Sequence, residues 1–177
     1  MQIIKASVIS GVLMKKFFLY IIPLLIFSTG CTGGAQPKSG QQDFSGTYTI
    51  SNVNGLVIDI FGSYKDDDTP LILYSLHGGD NQMFVIERQE DLTYRITAKH
   101  SGMALTAKDE AVVQSEWKNN NSQKWQIKEL RNGIVKFRNC MDNKVLGISK
   151  FIYDEEITLG VSRENNSPDQ QFRLNKQ

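Results

Sequence analysis

Apolar and polar residues alternate in short runs over most of this chain, from about position 46 to its end. Runs at positions 47–50, 93–96 and 134–137 place apolar side chains at alternate positions. This period of two is typical of β-strands that bury one face and expose the other. Gly, Asn, Asp and Ser separate the runs, and no stretch keeps the helical period of about 3.6 over about ten residues. The pattern therefore predicts an all-β fold.

A short motif recurs three times: glutamine, any residue and an aromatic. It is found at Gln82-Met83-Phe84, Gln123-Lys124-Trp125 and Gln170-Gln171-Phe172. The glutamines lie 41 positions apart (82 to 123) and then 47 apart (123 to 170), and such a period is typical of repeat architectures. Two further apolar runs lie inside each unit. They are at 56–60 and 71–74 in the first unit, at 103–106 and 111–113 in the second, and at 145–148 and 157–161 in the third.

Four strands in each of three units predict twelve strands, with units at about 46–91, 92–132 and 133–177. Three equal units favour a closed β-barrel or sandwich with threefold pseudosymmetry, because closure protects strand edges. The recurring glutamine and aromatic are interpreted as architectural. The aromatic would fill a shared core, and the buried amide would bond backbone groups of its own unit.

The first 31 residues have a different composition. Lys15 and Lys16 precede the apolar run 17–27, which is shorter than the ~20 residues of a membrane-spanning helix. Positions 1–31 therefore predict a secretory signal, with Met1 or Met14 as the initiator. Its end, Ser-Thr-Gly-Cys, resembles the lipobox of bacterial lipoproteins, which implies lipidation of Cys31; an ordinary signal peptide cleaved near Gly30 is the alternative.

Positions 32–43 contain mostly Gly, Gln, Ser, Pro and Lys, so we expect a flexible tether before a folded domain at 44–177. The lipobox resemblance implies an exported protein of the cell envelope, an outer-membrane lipoprotein of a Gram-negative bacterium, with its periplasmic or surface face left open. The chain has two cysteines. With Cys31 lipidated, Cys140 would stand alone, and no intrachain disulfide is expected.

Composition and motifs exclude several functions. The formal net charge of +1 argues against nucleic acid or an acidic membrane surface as a partner, leaving the lipid anchor as the one membrane contact. The two histidines lie in different units without a catalytic motif, so no enzyme is expected. The acidic run 66–68 lacks the Gly and Glu of a calcium loop, and we expect no metal and no cofactor.

From about residue 44 to 177, the three units with their glutamine-x-aromatic motifs resemble the ricin-B-type lectin family, whose fold is the β-trefoil. The chain departs from the family pattern by having Phe84 and Phe172 where tryptophan is usual, and by lacking the frequent disulfides within a repeat. The resemblance implies a shallow sugar site inside a repeat. There an Asp accepts hydrogen bonds from vicinal hydroxyls, an aromatic stacks on the sugar, and an Asn stands beside the repeat glutamine.

The first unit matches this site at Asp59, Tyr74 and Asn81, and His77 falls where the family often has another polar contact. Asp59 also interrupts an apolar strand, so its carboxylate is expected to face solvent or a ligand. In the other two units the Asp position holds Thr106 and Gly147, the aromatic position holds Ser115 and Ser162, and the Asn position holds Ser122 and Asp169. Trp117 lies two residues beyond the aromatic position of the second unit. One site at most is therefore expected.

Together with the lipobox, the resemblance implies binding of a glycan, galactose-type or with another hexose, by a membrane-anchored, non-catalytic domain. Because a single shallow site offers few hydrogen bonds and little contact area, this binding is expected to be weak. The alternative is a β-trefoil scaffold that binds a protein partner, or an accessory subunit of an envelope or secreted complex.

Overall fold

The computed structural model describes residues 42–177, and this part of the chain folds as twelve β-strands with four three-residue 3-10 turns. None of the helical segments within 42–177 has the length and hydrophobicity needed to cross a membrane. The strands are β1 (Gly46–Asn52), β2 (Val57–Ile60), β3 (Leu71–Tyr74), β4 (Phe84–Arg88), β5 (Tyr94–Ala98), β6 (Ala104–Lys108), β7 (Ala111–Ser115), β8 (Trp125–Glu129), β9 (Ile134–Asn139), β10 (Val145–Tyr153), β11 (Glu156–Ser162) and β12 (Phe172–Lys176).

The first and fourth strands of the three units close a six-stranded antiparallel barrel. Pairing runs from β1 to β4, β5, β8, β9 and β12, and returns from β12 to β1. The closing pair joins the two ends of the described chain, with Tyr48 opposite Lys176. Closure leaves the barrel without an open edge, as the three-unit sequence pattern predicts.

The remaining strands form three hairpins, β2–β3, β6–β7 and β10–β11, that pair with one another. Thr158 of β11 lies opposite Ile72 of β3, Gly160 of β11 opposite Ala111 of β7, and Pro70 opposite Val113. These bridges join the hairpins into a cap. A six-stranded barrel with a three-hairpin cap is the β-trefoil, so the predicted all-β fold of three four-stranded repeats is confirmed.

The aromatic residues of the repeat motif lie in the centre of the core. Phe84, Trp125 and Phe172 are all fully buried, and Phe137 packs edge-on against Phe172 with ring centroids 5.9 Å apart. Burying each such ring contributes about 1.5–3 kcal/mol of hydrophobic stabilisation. Trp125 also donates its Nε1–H to the carbonyl of Leu105 at 3.0 Å, a bond that phenylalanine cannot make.

The repeat glutamines bond the backbone with one spacing in all three units. Each amide oxygen accepts from the N–H five residues earlier, at His77, Lys118 and Asn165. Each amide nitrogen donates to the carbonyl seven residues earlier, at Ser75, Glu116 and Arg163. Each glutamine therefore fixes the loop that precedes it, using both ends of a buried amide.

Cys140 is buried and disulfide-bonded, so the expectation that it stands alone was wrong. The predicted signal segment 1–31, the lipidation of Cys31 and the tether up to position 41 lie outside the described residues. The described chain enters the barrel at Phe44, whose backbone N–H donates to the hydroxyl of Tyr94 at 3.4 Å.

Candidate functional site

The β2–β3 hairpin and the loop after it bring the four residues of the predicted site together. Asp59 lies in β2 opposite Ile72, and Tyr74 is the last residue of β3. The chain then turns through His77 into the 3-10 turn Asp80–Gln82, which carries Asn81. Hydrogen bonds and a ring contact join these side chains, although they come from three different segments.

Asp59 is the centre of the site. Its Oδ1 accepts from Asn81 Nδ2 at 2.7 Å, and its Oδ2 accepts from Gln82 Nε2 at 2.8 Å and from His77 Nε2 at 3.1 Å. The side chain is only 4% exposed, so the carboxylate is not turned outward as the sequence argument required. Three internal donors offset the free energy of its desolvation instead.

His77 covers the carboxylate from the solvent side, and its side chain is 45% exposed. The backbone N–H of Gly79 points at the Nδ1 of His77 at 3.1 Å, so that nitrogen accepts a hydrogen bond. The proton of the neutral ring is then on Nε2, which donates to Asp59. The backbone N–H of Gly79 therefore favours the tautomer of His77 that carries its proton on Nε2.

Gly79 is required for the close approach of these side chains. A Cβ at this position would lie 2.5 Å from Asn81 Oδ1 and 2.7 Å from His77 Cε1. Both distances are shorter than a van der Waals contact, so any larger residue would displace the site. Sequence reasoning missed Gly79, and it also missed Gln82 as a direct partner of Asp59. The Gly78-Gly79 pair beside the repeat motif is the signal that could have indicated a crowded loop.

Tyr74 provides an apolar face beside this polar group. Its side chain is exposed, and its ring meets that of His77 edge-on, with centroids 6.2 Å apart at 71°. An exposed ring next to fixed hydrogen-bonding groups can contact the apolar face of a polar ligand.

The second unit has no equivalent of this site. Thr106 stands at the Asp position, and its hydroxyl lies 2.6 Å from that of Ser115, where the first unit has Tyr74. Both hydroxyls accept from Gln123 Nε2, at 3.2 and 3.1 Å. Trp117 does not replace the missing tyrosine, because the guanidinium of Arg95 lies over its ring, 5.3 Å from the centroid.

In the third unit, Gly147 occupies the Asp position, and a Cβ there would lie 3.0 Å from Gln170 Cγ and 3.1 Å from the carbonyl oxygen of Asp169. The backbone therefore leaves little room for a carboxylate. In the same unit, Glu164 accepts from buried Lys136 at 2.7 Å and from Arg138. The hydrogen bonds from Lys136 and Arg138 hold the pKa of Glu164 below its ordinary value, although burial opposes them.

Within residues 42–177, no group of three or more His, Cys, Asp or Glu side chains is arranged to hold a metal ion. The second histidine, His100, lies outside the site and bonds the carbonyl of Tyr64 at 3.0 Å.

Comparisons with solved structures agree with this fold. The designed threefold-symmetric protein ThreeFoil has a TM-score of 0.68 and 25% identity, over 74% of this chain and 99% of its own. The agglutinin of Rhizoctonia solani has a TM-score of 0.66 and 19% identity, over 80% of this chain and 100% of its own. The C-half of the earthworm R-type lectin, solved with GalNAc, has a TM-score of 0.60 and 21% identity, over 75% and 99%.

No curated protein matches the sequence significantly. The family model described as the ricin-type beta-trefoil lectin domain matches residues 46–172, which is most of the chain and includes all three repeats. This chain therefore belongs to the ricin-type β-trefoil lectin family.

Proposed function

We propose that the domain binds carbohydrate without catalysis, through the single site in its first repeat. The observation that carries the proposal is that Asp59, Asn81, His77 and Tyr74 converge there and that the other repeats lack such a group. The family is generally non-catalytic, which agrees with a binding role. The glycan is of galactose type or contains another hexose; the earthworm relative solved with GalNAc supports this class.

The hydrogen bonds of Asp59 define how a sugar would be bound. Oδ2 already accepts two hydrogen bonds and Oδ1 accepts one, so Oδ1 keeps one lone pair for a sugar hydroxyl. A second hydroxyl of a vicinal pair reaches Oδ2 when the exposed ring of His77 turns aside. Asn81 and Gln82 hold the carboxylate in place, and Tyr74 packs on the apolar face of the sugar ring.

A single shallow site of this kind binds weakly. A hydrogen bond to the carboxylate contributes about 1.5–3 kcal/mol net and a neutral one about 0.5–1.5 kcal/mol, and the small contact area offsets little of the entropy lost on association. We expect millimolar to high-micromolar affinity for a monosaccharide. Longer glycans, or many copies on one membrane, would raise the effective affinity.

Membrane attachment belongs to the same proposal. Lipidation of Cys31 would anchor the domain in the cell envelope as an outer-membrane lipoprotein, and the tether would hold it near glycans at that surface. A lipidated Cys31 could not be the disulfide partner of Cys140, so the anchored form would lack an intrachain disulfide. Two or more acyl chains suffice for stable attachment.

Titration with simple sugars tests the binding site. Galactose, N-acetylgalactosamine and glucose are added to the purified protein while backbone amide resonances are followed by NMR. Shifts centred on Asp59, His77 and Asn81 are expected, and Tyr74→Ala should weaken binding by about tenfold. Tyr64→Ala is the matched control, because Tyr64 is another exposed tyrosine elsewhere on the first repeat. A full glycan array without a binder would overturn the proposal.

A further inference from the structure

The three cap hairpins end in very different turns. The second hairpin turns through Asp109-Glu110 alone, whereas the first carries the loop Phe61–Pro70. The third is longer, because β10 continues past an irregularity between Ile148 and Ile152 to Tyr153. The tip of this third hairpin reaches back to the first, where Tyr153 packs edge-on against Phe61 with ring centroids 5.0 Å apart.

These turns expose a group of large apolar side chains that the sugar site does not use. Phe151 is 63% exposed and Ile152 72% exposed, and three more side chains are about half exposed. We call this group the cap patch; its members are Tyr64, Phe151, Ile152, Tyr153 and Ile157. Ile152 lies opposite Ile157, and these two side chains share one face of the hairpin tip. Tyr153 lies on the other face against half-buried Phe61, whose ring centroid is also 6.0 Å from that of Tyr64. Single exposed apolar residues are ordinary, but a cluster of aromatic and branched side chains marks an interaction surface.

The cap patch is formed by ordered chain. Gln114 is fully buried and donates its amide to the carbonyls of Tyr64 and Asp66, at 2.9 and 3.0 Å. Asp67 accepts from the backbone N–H of Glu116 at 2.9 Å. On the third hairpin, Thr158 donates its hydroxyl to the carbonyl of Phe151 at 2.5 Å. The exposed rings are therefore held in position before any partner arrives.

The charges around the cap patch are mostly negative. The three turns carry eight carboxylates, Asp66, Asp67, Asp68, Asp109, Glu110, Asp154, Glu155 and Glu156, against the lysines Lys65, Lys108 and Lys150. One lysine is neutralised internally, since Lys108 pairs with Asp68 at 2.6 Å. Apolar side chains within an acidic rim complement a surface that is both apolar and basic.

We propose that the cap patch is a docking surface for a protein partner, and that the partner presents a basic amphipathic segment. The aliphatic and aromatic side chains would receive the apolar face of that segment, and the acidic turns would pair with its lysines or arginines. The acidic rim repels an anionic membrane or a nucleic acid. The patch is separate from the sugar site, because Tyr74 and Phe61 stand at opposite ends of the β2–β3 hairpin.

Defined peptides test this surface. The purified full chain is titrated with a lysine-rich amphipathic peptide and with versions in which glutamine or glutamate replaces every lysine. We expect the lysine peptide to bind at least about tenfold more tightly than the glutamine version, with salt weakening it. Amide shifts should centre on Tyr64 and on 151–157.

Two surface variants separate the apolar and the electrostatic contributions. The double variant Phe151→Ser/Ile152→Ser should lose at least about tenfold in affinity, because both side chains are exposed and their removal leaves the core intact. The double variant Asp154→Asn/Glu155→Gln should lose about threefold and become less sensitive to salt. Tyr74→Ala, in the sugar site, should leave peptide binding unchanged.

Three results would overturn the proposal. One is no binding of the lysine peptide up to about 1 mM. A second is equal binding of the glutamate version. The third is capture of the cap patch by phosphatidylcholine vesicles or by a second copy of the chain, seen by sedimentation and removed by Phe151→Ser/Ile152→Ser.

Discussion

The imidazole of His77 donates its Nε2–H to the buried carboxylate of Asp59 across 3.1 Å, while a backbone N–H occupies its other nitrogen. This pair means that Asp59 serves the fold as well as a ligand. Asn81, Gln82 and His77 all depend on the same carboxylate. Changes at Asp59 will therefore affect stability and binding together, and the two effects must be measured separately.

Asp59→Ala is expected to lower the free energy of unfolding by about 2–4 kcal/mol, because it leaves buried donors of Asn81 and Gln82 without an acceptor. Chemical denaturation measures the change. Thr106→Ala is the matched control at the same position of the second repeat, where Gln123 keeps two other acceptors, Ser115 and Glu116. Its cost should stay below about 1.5 kcal/mol. Equal costs for both variants would contradict the role assigned to Asp59.

Gly79→Ala is expected to abolish sugar binding while the domain stays folded. The added methyl would displace Asn81 and His77, whereas the φ angle of Gly79 (−70°) is one that alanine adopts readily. NMR titration and thermal unfolding report the two properties. Gly147→Ala adds the same methyl in a tight but less crowded place of the third repeat, with nearest atoms at 3.0 and 3.1 Å, and it should leave the sugar affinity unchanged. Wild-type binding by Gly79→Ala would argue against the site.

Glu164 should make stability depend on pH at the acidic end. The hydrogen bond from Lys136 has the largest effect and lowers the pKa of Glu164 in the folded state. Burial opposes this change, and the hydrogen bond from Arg138 lowers the pKa further. Its contribution is therefore fully present above the ordinary glutamate value of 4.5 and is lost as the pH falls through the lower folded pKa. Glu164→Gln should flatten the fall in unfolding free energy below that value. Glu90→Gln, an exposed glutamate, should keep the wild-type slope.

Trp125→Phe tests whether the repeat aromatics are equivalent. The variant keeps a buried ring but removes the Nε1–H bond to the carbonyl of Leu105, so we expect a loss of about 1–3 kcal/mol with the fold intact. Phe84 and Phe172 already occupy the matching positions of the other repeats. Urea denaturation gives the value, and a stability equal to wild type would show that the indole bond contributes nothing.

Lipid attachment is tested by labelling cells with a palmitate analogue. Under the lipoprotein proposal, Cys31→Ser abolishes labelling and Cys140→Ser does not. The chain has only two cysteines, and a sulfur in a lipid thioether cannot join a disulfide, so a lipidated Cys31 excludes an intrachain bond to Cys140. Intact mass under non-reducing conditions distinguishes the two forms. An exported, unlipidated chain with an intact disulfide would contradict the proposal.

The fold could be predicted because its determinants are local and repeated. Phe84, Trp125 and Phe172 each begin a strand at the same point of their unit, so three copies of one pattern identified one architecture. The number of strands followed from counting four short runs in each of the three units that this motif marks.

The candidate site was only partly predictable. Residue types and spacing indicated which side chains come together, but the burial of Asp59 depends on donors that arrive from a loop 18 to 23 residues later. The cap patch could not be predicted from the sequence, for a different reason. An apolar run such as 151–153 has the same pattern whether it is packed or exposed, and only the surrounding strands decide which.

The pairing of β1 with β12 has a consequence for how the chain becomes functional. Tyr48 and Lys176 come from the two ends of the described chain, so the barrel cannot close until the last strand is available. A chain synthesised from its N-terminus therefore keeps this β1–β12 junction open until β12 has been made, and completes its native structure only then. Contacts between such distant residues form slowly, because the intervening chain must first be ordered. Removal of β12 should consequently leave an unfolded product that proteases digest readily.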